Sequence, residues 1–495
     1  MTERTPAIDP GANLSATGRR LGIILAVLCL CQFMVILDIT IVNVSLEKVR
    51  EDLGLSASDL SYVVTTYGTL LGGFLMLGGR CADFFGRKRM LIIGMSLFAV
   101  ASLTAALAQQ GWHLFISRGF QGLGAAFLTT AALSTLTSVF EEGPARNRAL
   151  GIWGALAGGG SAIGVMLGGL LTDGPGWRWI FWLNVPVGLV AIVLVIRVVP
   201  SIAAPRVSRL DLPGAVTLTA GLLLVVAGIS RSDVVGWVSA STFGAIFGGL
   251  ALIGAFVAIE LNTTEPLIDL RIFRRRMLRG ANLVGVLTFG ALAGYFFSAS
   301  LLMQRVFGFS PLKTGFAYVP LAVAVVVGAG VASRMVATVN PRNILLVGLP
   351  LAAAGFVLVA AAPNDPNYWQ HLFGPFLLVG LALGSSFVPI QILAFGGTTR
   401  EESGLAAGLI NTSQEVGGAV GVAVLSTVAV SRTNHVMTGI AGAPTIDAIH
   451  SGYRYALLAN AGLVFAAFVV ALVLLGGRVP AIDEADAELP EPVAV

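Results

Sequence analysis

About fourteen times along this chain the sequence presents a run of roughly 20 apolar residues, the length a helix needs to cross about 30 Å of hydrocarbon. The runs fall at about 21–43, 58–78, 90–109, 113–138, 148–172, 181–199, 212–230, 241–260, 280–304, 314–337, 343–362, 371–395, 404–430 and 453–476. With 56% of its 495 residues hydrophobic and 11% charged, against a usual charged content of about a quarter, the chain has too little polar surface for a water-soluble globule. An all-α integral membrane fold is expected, with the lipid bilayer as its surroundings. The 30 Lys and Arg lie in short clusters between the runs, where insertion signals belong, so no nucleic-acid partner is expected. Cys29, Cys31 and Cys81 make neither a metal cluster nor a disulfide framework.

Residues 1–18 are polar and non-periodic and read as a disordered cytoplasmic tail, and the acidic, Pro-containing end reads as a second tail over 479–495. The first run is too long for a signal-peptide core and lacks a cleavage site, so it stays as a span. An even number of spans places both termini on one side. With the N-terminus cytoplasmic, 21 of the 30 Lys and Arg fall inside, eight outside and Arg118 within a span, the excess that the positive-inside rule requires. Trp112, Trp177, Trp179, Trp182, Trp237 and Trp369 then gather at outer span ends, as an interfacial belt would.

The chain carries an internal echo. His113-Leu114-Phe115 opens the fourth span and His371-Leu372-Phe373 the twelfth, an offset of 258 residues at which Gly122 also meets Gly380 and the first span meets the ninth. Six helices are reused, giving an N-terminal bundle over 19–200 and a C-terminal bundle over 279–478, with two inserted helices over 201–278. Paired repeats of this kind mark transporters, whose substrate path lies between the halves near the midplane.

Asp38 lies about 17 residues into the first span, roughly 25 Å from its cytoplasmic end. An Asp at mid-helix costs about 2.5 to 3.5 kcal/mol on insertion scales, so it needs a cavity or a partner. Arg118 in the fourth span sits at similar depth, roughly 8 Å below the outer surface, followed by Gln121, Gly122 and Ala125 on the same face. Such a pair could simply orient two helices. Alternatively, burial favours the neutral carboxyl and a neighbouring guanidinium the charged one, so a motion that separates them would switch Asp38 between holding and releasing a proton. At the 258-residue offset Phe296 and Phe376 stand opposite Asp38 and Arg118, which speaks against a purely architectural pair.

Glu415, about 11 residues into the thirteenth span and roughly 16 Å deep, is the second deep acid. With Asn411 and Gln414 it gives that helix a polar face suited to a substrate cavity, which Asn43 and Gln121 would share. Glu415 either handles protons or a substrate cation, or is a neutral carboxyl hydrogen-bonded to neighbouring helices. Gly160, Gly164 and Gly168 repeat every four residues, as do Gly404 with Gly408 and Gly417 with Gly421; such stripes allow close helix packing, and in a transporter they can mark where the halves rock. The segment Gly79-Arg80-Cys81-Ala82-Asp83-Phe84-Phe85-Gly86-Arg87-Lys88-Arg89 reads as a loop with a tight turn and a charge lock across the cytoplasmic mouth.

That segment resembles the G-x-x-x-D-x-x-G-R-K-x motif of the major facilitator superfamily, in Gly79, Asp83, Gly86, Arg87 and Lys88. Leu37-Asp38-Ile39-Thr40-Ile41-Val42-Asn43-Val44 is similar to the first-span motif of its fourteen-span drug:proton antiporter branch. Leu114, Arg118, Gln121, Gly122 and Gly124 match the fourth-span motif. Gly160, Gly164, Gly168 and Gly169 match the antiporter motif of the fifth span, where Val165 stands in place of its usual proline. Trp177-Arg178-Trp179-Ile180-Phe181-Trp182-Leu183-Asn184-Val185-Pro186 also resembles the branch.

The resemblance implies a major facilitator fold of two six-helix bundles plus two helices, in a bacterial plasma membrane. It also implies efflux of small amphipathic or cationic drugs by alternating access, with Asp38 and Arg118 handling protons and Asp83 with Arg87 closing the cytoplasmic side. The energy source would be the proton gradient, with no cofactor or metal; no phosphate-binding loop is present for ATP. A monomer is expected. No enzyme activity is expected, because the four His lie at span ends or in outer loops without a nucleophile motif. The rival readings are a dedicated exporter of one metabolite or lipid, an importer, and a membrane sensor or assembly factor.

Overall fold

The computed structural model describes residues 10–140, 144–201, 211–236, 239–263, 266, 268, 270–336, 338–396, 403–440 and 442–476. The helices are α1 Pro10–Leu53, α2 Asp59–Phe85, α3 Arg87–Ala106, α4 Gly111–Val139, α5 Pro144–Asp173, α6 Trp179–Trp182, α7 Asn184–Val198, α8 Leu212–Val235, α9 Ala240–Asn262, α10 Arg276–Leu301, α11 Pro311–Met335, α12 Pro341–Ala360, α13 Tyr368–His371, α14 Phe373–Phe395, α15 Ser403–Val436 and α16 Ile446–Leu474. A π-helical turn, Leu302–Val306, prolongs α10. Among the described residues thirteen helical segments are long and apolar enough to span a bilayer. The remaining expected span falls on α5, whose described apolar part is Gly160–Asp173.

Several helices overrun their apolar runs. Helix α1 begins at Pro10, inside the stretch read as a tail, and continues past 43 to Leu53. Its far end is polar yet helical because Glu47 with Arg50 and Lys48 with Glu51 pair at i,i+3 along it. It stops where Gly54 takes φ +63° and the Leu55 amide donates to Arg50 O at 3.0 Å, a Schellman closure. Asp38 consequently sits about two-thirds of the way along a longer helix, still in its distal half.

The packing repeats in the two halves. Helix α1 packs on α5 as α10 packs on α15; α2 and α3 pack on α4 as α11 and α12 pack on α14; α3 packs on α7 as α12 packs on α16. The halves meet through α2 with α15 and through α5 with α11, two contacts that exchange under the same correspondence. Helices α8 and α9 pair with each other, and α8 lies against both α2 and α15. Ser230 accepts a 3.4 Å hydrogen bond from Ser61 in the first half, and Thr427 of the second half donates to Ile229 O at 3.0 Å. The insert therefore touches both halves along one side of their junction.

Glycine makes the closest approaches possible, as helices without a hydrophobic drive between them require. A Cβ on Gly417 would lie 2.7 Å from Val286 Cα, and one on Gly421 would lie 2.5 Å from Gly290 C. Because both obstructions are backbone, neither can swing aside. Gly421→Val is expected to cost at least about 3 kcal/mol, the upper range for overpacking, read as a lowered thermal unfolding midpoint in detergent.

Candidate functional site

Asp38 and Arg118 meet. Arg118 Nη1 donates to Asp38 Oδ2 in an ion pair whose side chains are 0% and 1% exposed. The second carboxylate oxygen, Oδ1, accepts from Gln121 Nε2 at 3.2 Å and from Asn184 Nδ2 at 3.0 Å. Arg118 is held further by Gln121 Oε1 at 3.0 Å, by Val63 O at 2.9 Å and by the Tyr67 ring, whose centroid is 4.2 Å from the guanidinium carbon. Gln121 also donates to Ser102 Oγ at 2.8 Å. Five helices, α1 to α4 and α7, thus converge on one buried carboxylate. Gly122 permits this, since any Cβ there would run into Tyr67 backbone.

The equivalent place in the second half is aromatic. Tyr318 lies between Phe296, with centroids 5.1 Å apart, and Phe376 at 5.6 Å, and Tyr295 adds a ring 5.9 Å from Phe376. The two halves share packing but not chemistry at this depth.

Other expected residues are placed separately. Asn43 is buried but donates to Ile39 O of its own helix at 2.9 Å and does not join Asp38. On α15, Asn411 and Glu415 are half-buried and Gln414 is buried, its Nε2 without a partner. Glu415 faces α2: a Cβ on Gly72 would be 3.1 Å from Glu415 Cβ. The second acid therefore lies at the junction of the halves, whereas Asp38 is enclosed within one. Nearby, the buried Tyr67 hydroxyl has no hydrogen-bond partner.

One reading needs correction. The segment Gly79 to Arg89 is not a loop, because α2 runs through Gly79 and Cys81 to Phe85 and α3 starts at Arg87, leaving Gly86 at φ +96° as the whole turn. Within this corner Asp83 and Arg87 pair at 3.5 Å, Arg87 also reaches Ser138, and Lys88 caps Ile196 O at 2.7 Å. These contacts stay in the first half and brace the corner in this conformation, while Arg80 donates to Pro266 O, in the stretch before α10, at 2.5 Å. The glycine stripe of α5 makes the close packing expected of it, within the first half: Gly160 lies against Ile36, Gly164 against Leu37 and Gly168 against Ile41 of α1, and among the four only Gly169 meets the other half, at Pro311 and Leu312. Gly404 lacks described side-chain surroundings. Of the tryptophans, Trp112 and Trp369 are 55% and 70% exposed, but Trp177 is buried and donates to Asp52 Oδ2 at 3.0 Å; Trp237 lies outside the described residues.

A further cross-half contact closes the distal end, where α1 finishes and α16 begins. Arg305 Nε is 3.6 Å from Glu47 Oε2 and Arg305 Nη1 is 3.4 Å from Tyr453 Oη, while Gln304 donates to Val44 O at 2.8 Å. Nearby, the Leu312 amide donates to Asp173 Oδ2 at 2.9 Å. Glu47 and Arg305 are separated by the same 258 residues as the internal repeat. Equivalent positions near a pseudo-two-fold axis meet each other, so opposite charges at that offset were the available signal. The π-helical turn carries both Gln304 and Arg305. Glu47→Gln is expected to raise the population opened at this end about fivefold, as loss of roughly 1 kcal/mol would. Spin labels at Lys48 and Lys313, one on each half, would read it as a longer-distance fraction.

A family model described as the Major Facilitator Superfamily matches residues 28–422. The puromycin resistance protein pur8 of Streptomyces alboniger is 36% identical over 466 residues, 93% of this chain and 92% of its own. The cephamycin export protein CmcT of Amycolatopsis lactamdurans is 35% identical over 489 residues, covering 97% of both chains. Among solved structures, an auto-inhibited POT family peptide transporter superposes with a TM-score of 0.69 over 94% of this chain and 98% of that one, at 14% identity, a likeness of fold. Two helix bundles of matching packing, a buried acid held by the first of them and a family match across most of the chain agree: this multi-pass membrane protein belongs to the Major Facilitator Superfamily of transporters.

Proposed function

We propose that the chain exports small amphipathic or cationic compounds across a bacterial plasma membrane in exchange for protons, by alternating access, with both termini cytoplasmic and the closed distal end facing outward. The observation that carries this reading is the set of donors on Asp38. Three N–H groups point at its two oxygens, so a protonated carboxyl would set an O–H donor against donors. Taking up a proton would force the network apart, and re-forming it would expel the proton. Asp38 is wholly enclosed here, so exchange requires a second conformation in which Arg118 withdraws and water reaches the acid.

Inward proton movement supplies about 2.3 kcal/mol per charge per 100 mV, enough to drive an outward step without ATP. Glu415, at the junction of the halves, is suited to a substrate cation or a second proton, with Asn411 and Gln414 beside it. The resistance and export names of the relatives favour drug or antibiotic efflux, by a monomer that uses no cofactor. A narrower reading, one dedicated compound, is favoured by the relative named for cephamycin export. Growth inhibition of a sensitive host by chemically distinct compounds, with and without the gene, separates them. Protection against several classes supports broad efflux, protection against one class supports the narrow reading, and protection against none contradicts both.

A further inference from the structure

We propose that a groove between α15 and α16 at the distal rim binds the phosphate headgroup of an anionic phospholipid from that leaflet. The groove encloses about 510 Å³ and is lined by Arg432 from the end of α15 and by Arg454, His450 and Ser451 from the start of α16. Arg432 is positioned by its Nε donating to Ser451 Oγ at 3.1 Å and by the Tyr455 ring, 4.3 Å from the guanidinium carbon. Among the described residues neither Arg432 nor Arg454 has a carboxylate in a salt bridge. Asp447 on the same wall accepts from Asn364, and His450 Nε2 lies 3.1 Å from Ala362 O, so both are engaged with the segment that follows α12. Two guanidiniums with donors to spare are left facing one cavity, the arrangement that recognises a phosphate.

The floor of the groove points to a lipid as the source of that phosphate. Tyr455 and Leu458 line it and are 46% and 39% exposed, and the exposed stripe continues down α16 through Phe465, Val469 and Leu472. These positions recur at steps of three, seven, four and three residues, one face of a helix, and in a bilayer that face meets acyl chains. A headgroup held by the arginines would therefore have its tails laid along an apolar surface, and a soluble phosphate ester would have only the arginines.

Native mass spectrometry of the purified full chain titrated with phosphatidylglycerol tests this, comparing wild type with Arg432→Gln/Arg454→Gln. Each lost charge-assisted contact is expected to weaken binding about tenfold, with phosphatidylcholine binding unchanged and the Arg432→Lys/Arg454→Lys variant intermediate. The unfolding midpoint without added lipid controls for folding. If the double variant is unstable, Arg454→Gln alone, at an exposed position, carries the same expectation of about tenfold. Equal phosphatidylglycerol affinity in wild type and variant would overturn the site. Competition by glycerol phosphate at concentrations equal to the lipid's would overturn the lipid as its occupant.

Discussion

Asp38→Asn is expected to lower pH-gradient-driven export in proteoliposomes by at least about a hundredfold, the lower range for loss of a group that transfers a proton. The substitution keeps the shape of the side chain, and its amide oxygen can still accept from Gln121 and Asn184 as Asp38 Oδ1 does. What it removes is the titrating group and the countercharge. The amide nitrogen would face Arg118 Nη1, donor to donor, where the carboxylate oxygen now accepts. A stability loss of about 1 to 3 kcal/mol should accompany this mispairing. Substrate binding in the absence of a gradient should survive, because Glu415 and the polar face of α15 are untouched. Export at the wild-type rate would remove Asp38 from the coupling step.

Arg118→Met has the larger structural effect. It leaves a carboxylate buried at 0% exposure without its cation, and breaking a buried pair in this way costs about 3 to 5 kcal/mol. Val63 O and the Tyr67 ring lose their partner as well. The double variant Asp38→Asn/Arg118→Met should recover most of that loss, since it removes both charges together, and its cost should be smaller than the sum of the single costs. Coupled export should remain absent. Thermal unfolding in detergent reads the first expectation and a gradient-driven flux assay the second. A double variant that regains transport would mean that the pair only joins helices.

Much of this was legible because lipid restricts a sequence so severely. Spans follow from apolar length, and a deep Asp with a deep Arg at similar depth has few ways to be accommodated, so the Asp38 and Arg118 pair could be read before any coordinates. The rest of the network could not. Asn184, which donates to Asp38, and Ser102, which accepts from Gln121, are small polar residues in apolar stretches, and which neighbour they face depends on helix rotation, which a run of alanines, leucines and valines leaves undetermined. The turn is confined to Gly86 because Arg80 to Phe85 continue α2 beyond its apolar run, an extension that apolar length alone does not show. The stripe of Gly160, Gly164 and Gly168 announced close packing but not its partner: a small residue specifies distance, and only the neighbour's identity, here α1, tells whether the contact lies within a half or between halves. The distal lock of Glu47 and Arg305 was present in the repeat offset, yet it required knowing which equivalent positions lie near the axis.

The most direct test is the proton count on substrate binding. Weakly buffered, detergent-solubilised protein is mixed with a compound it transports while pH is followed, for wild type and for Asp38→Asn. Exchange through Asp38 predicts that wild type releases protons into solution when the compound binds, and that the release disappears in the variant even where the compound still binds. Binding without any proton release in wild type, or an equal release from both proteins, would contradict it.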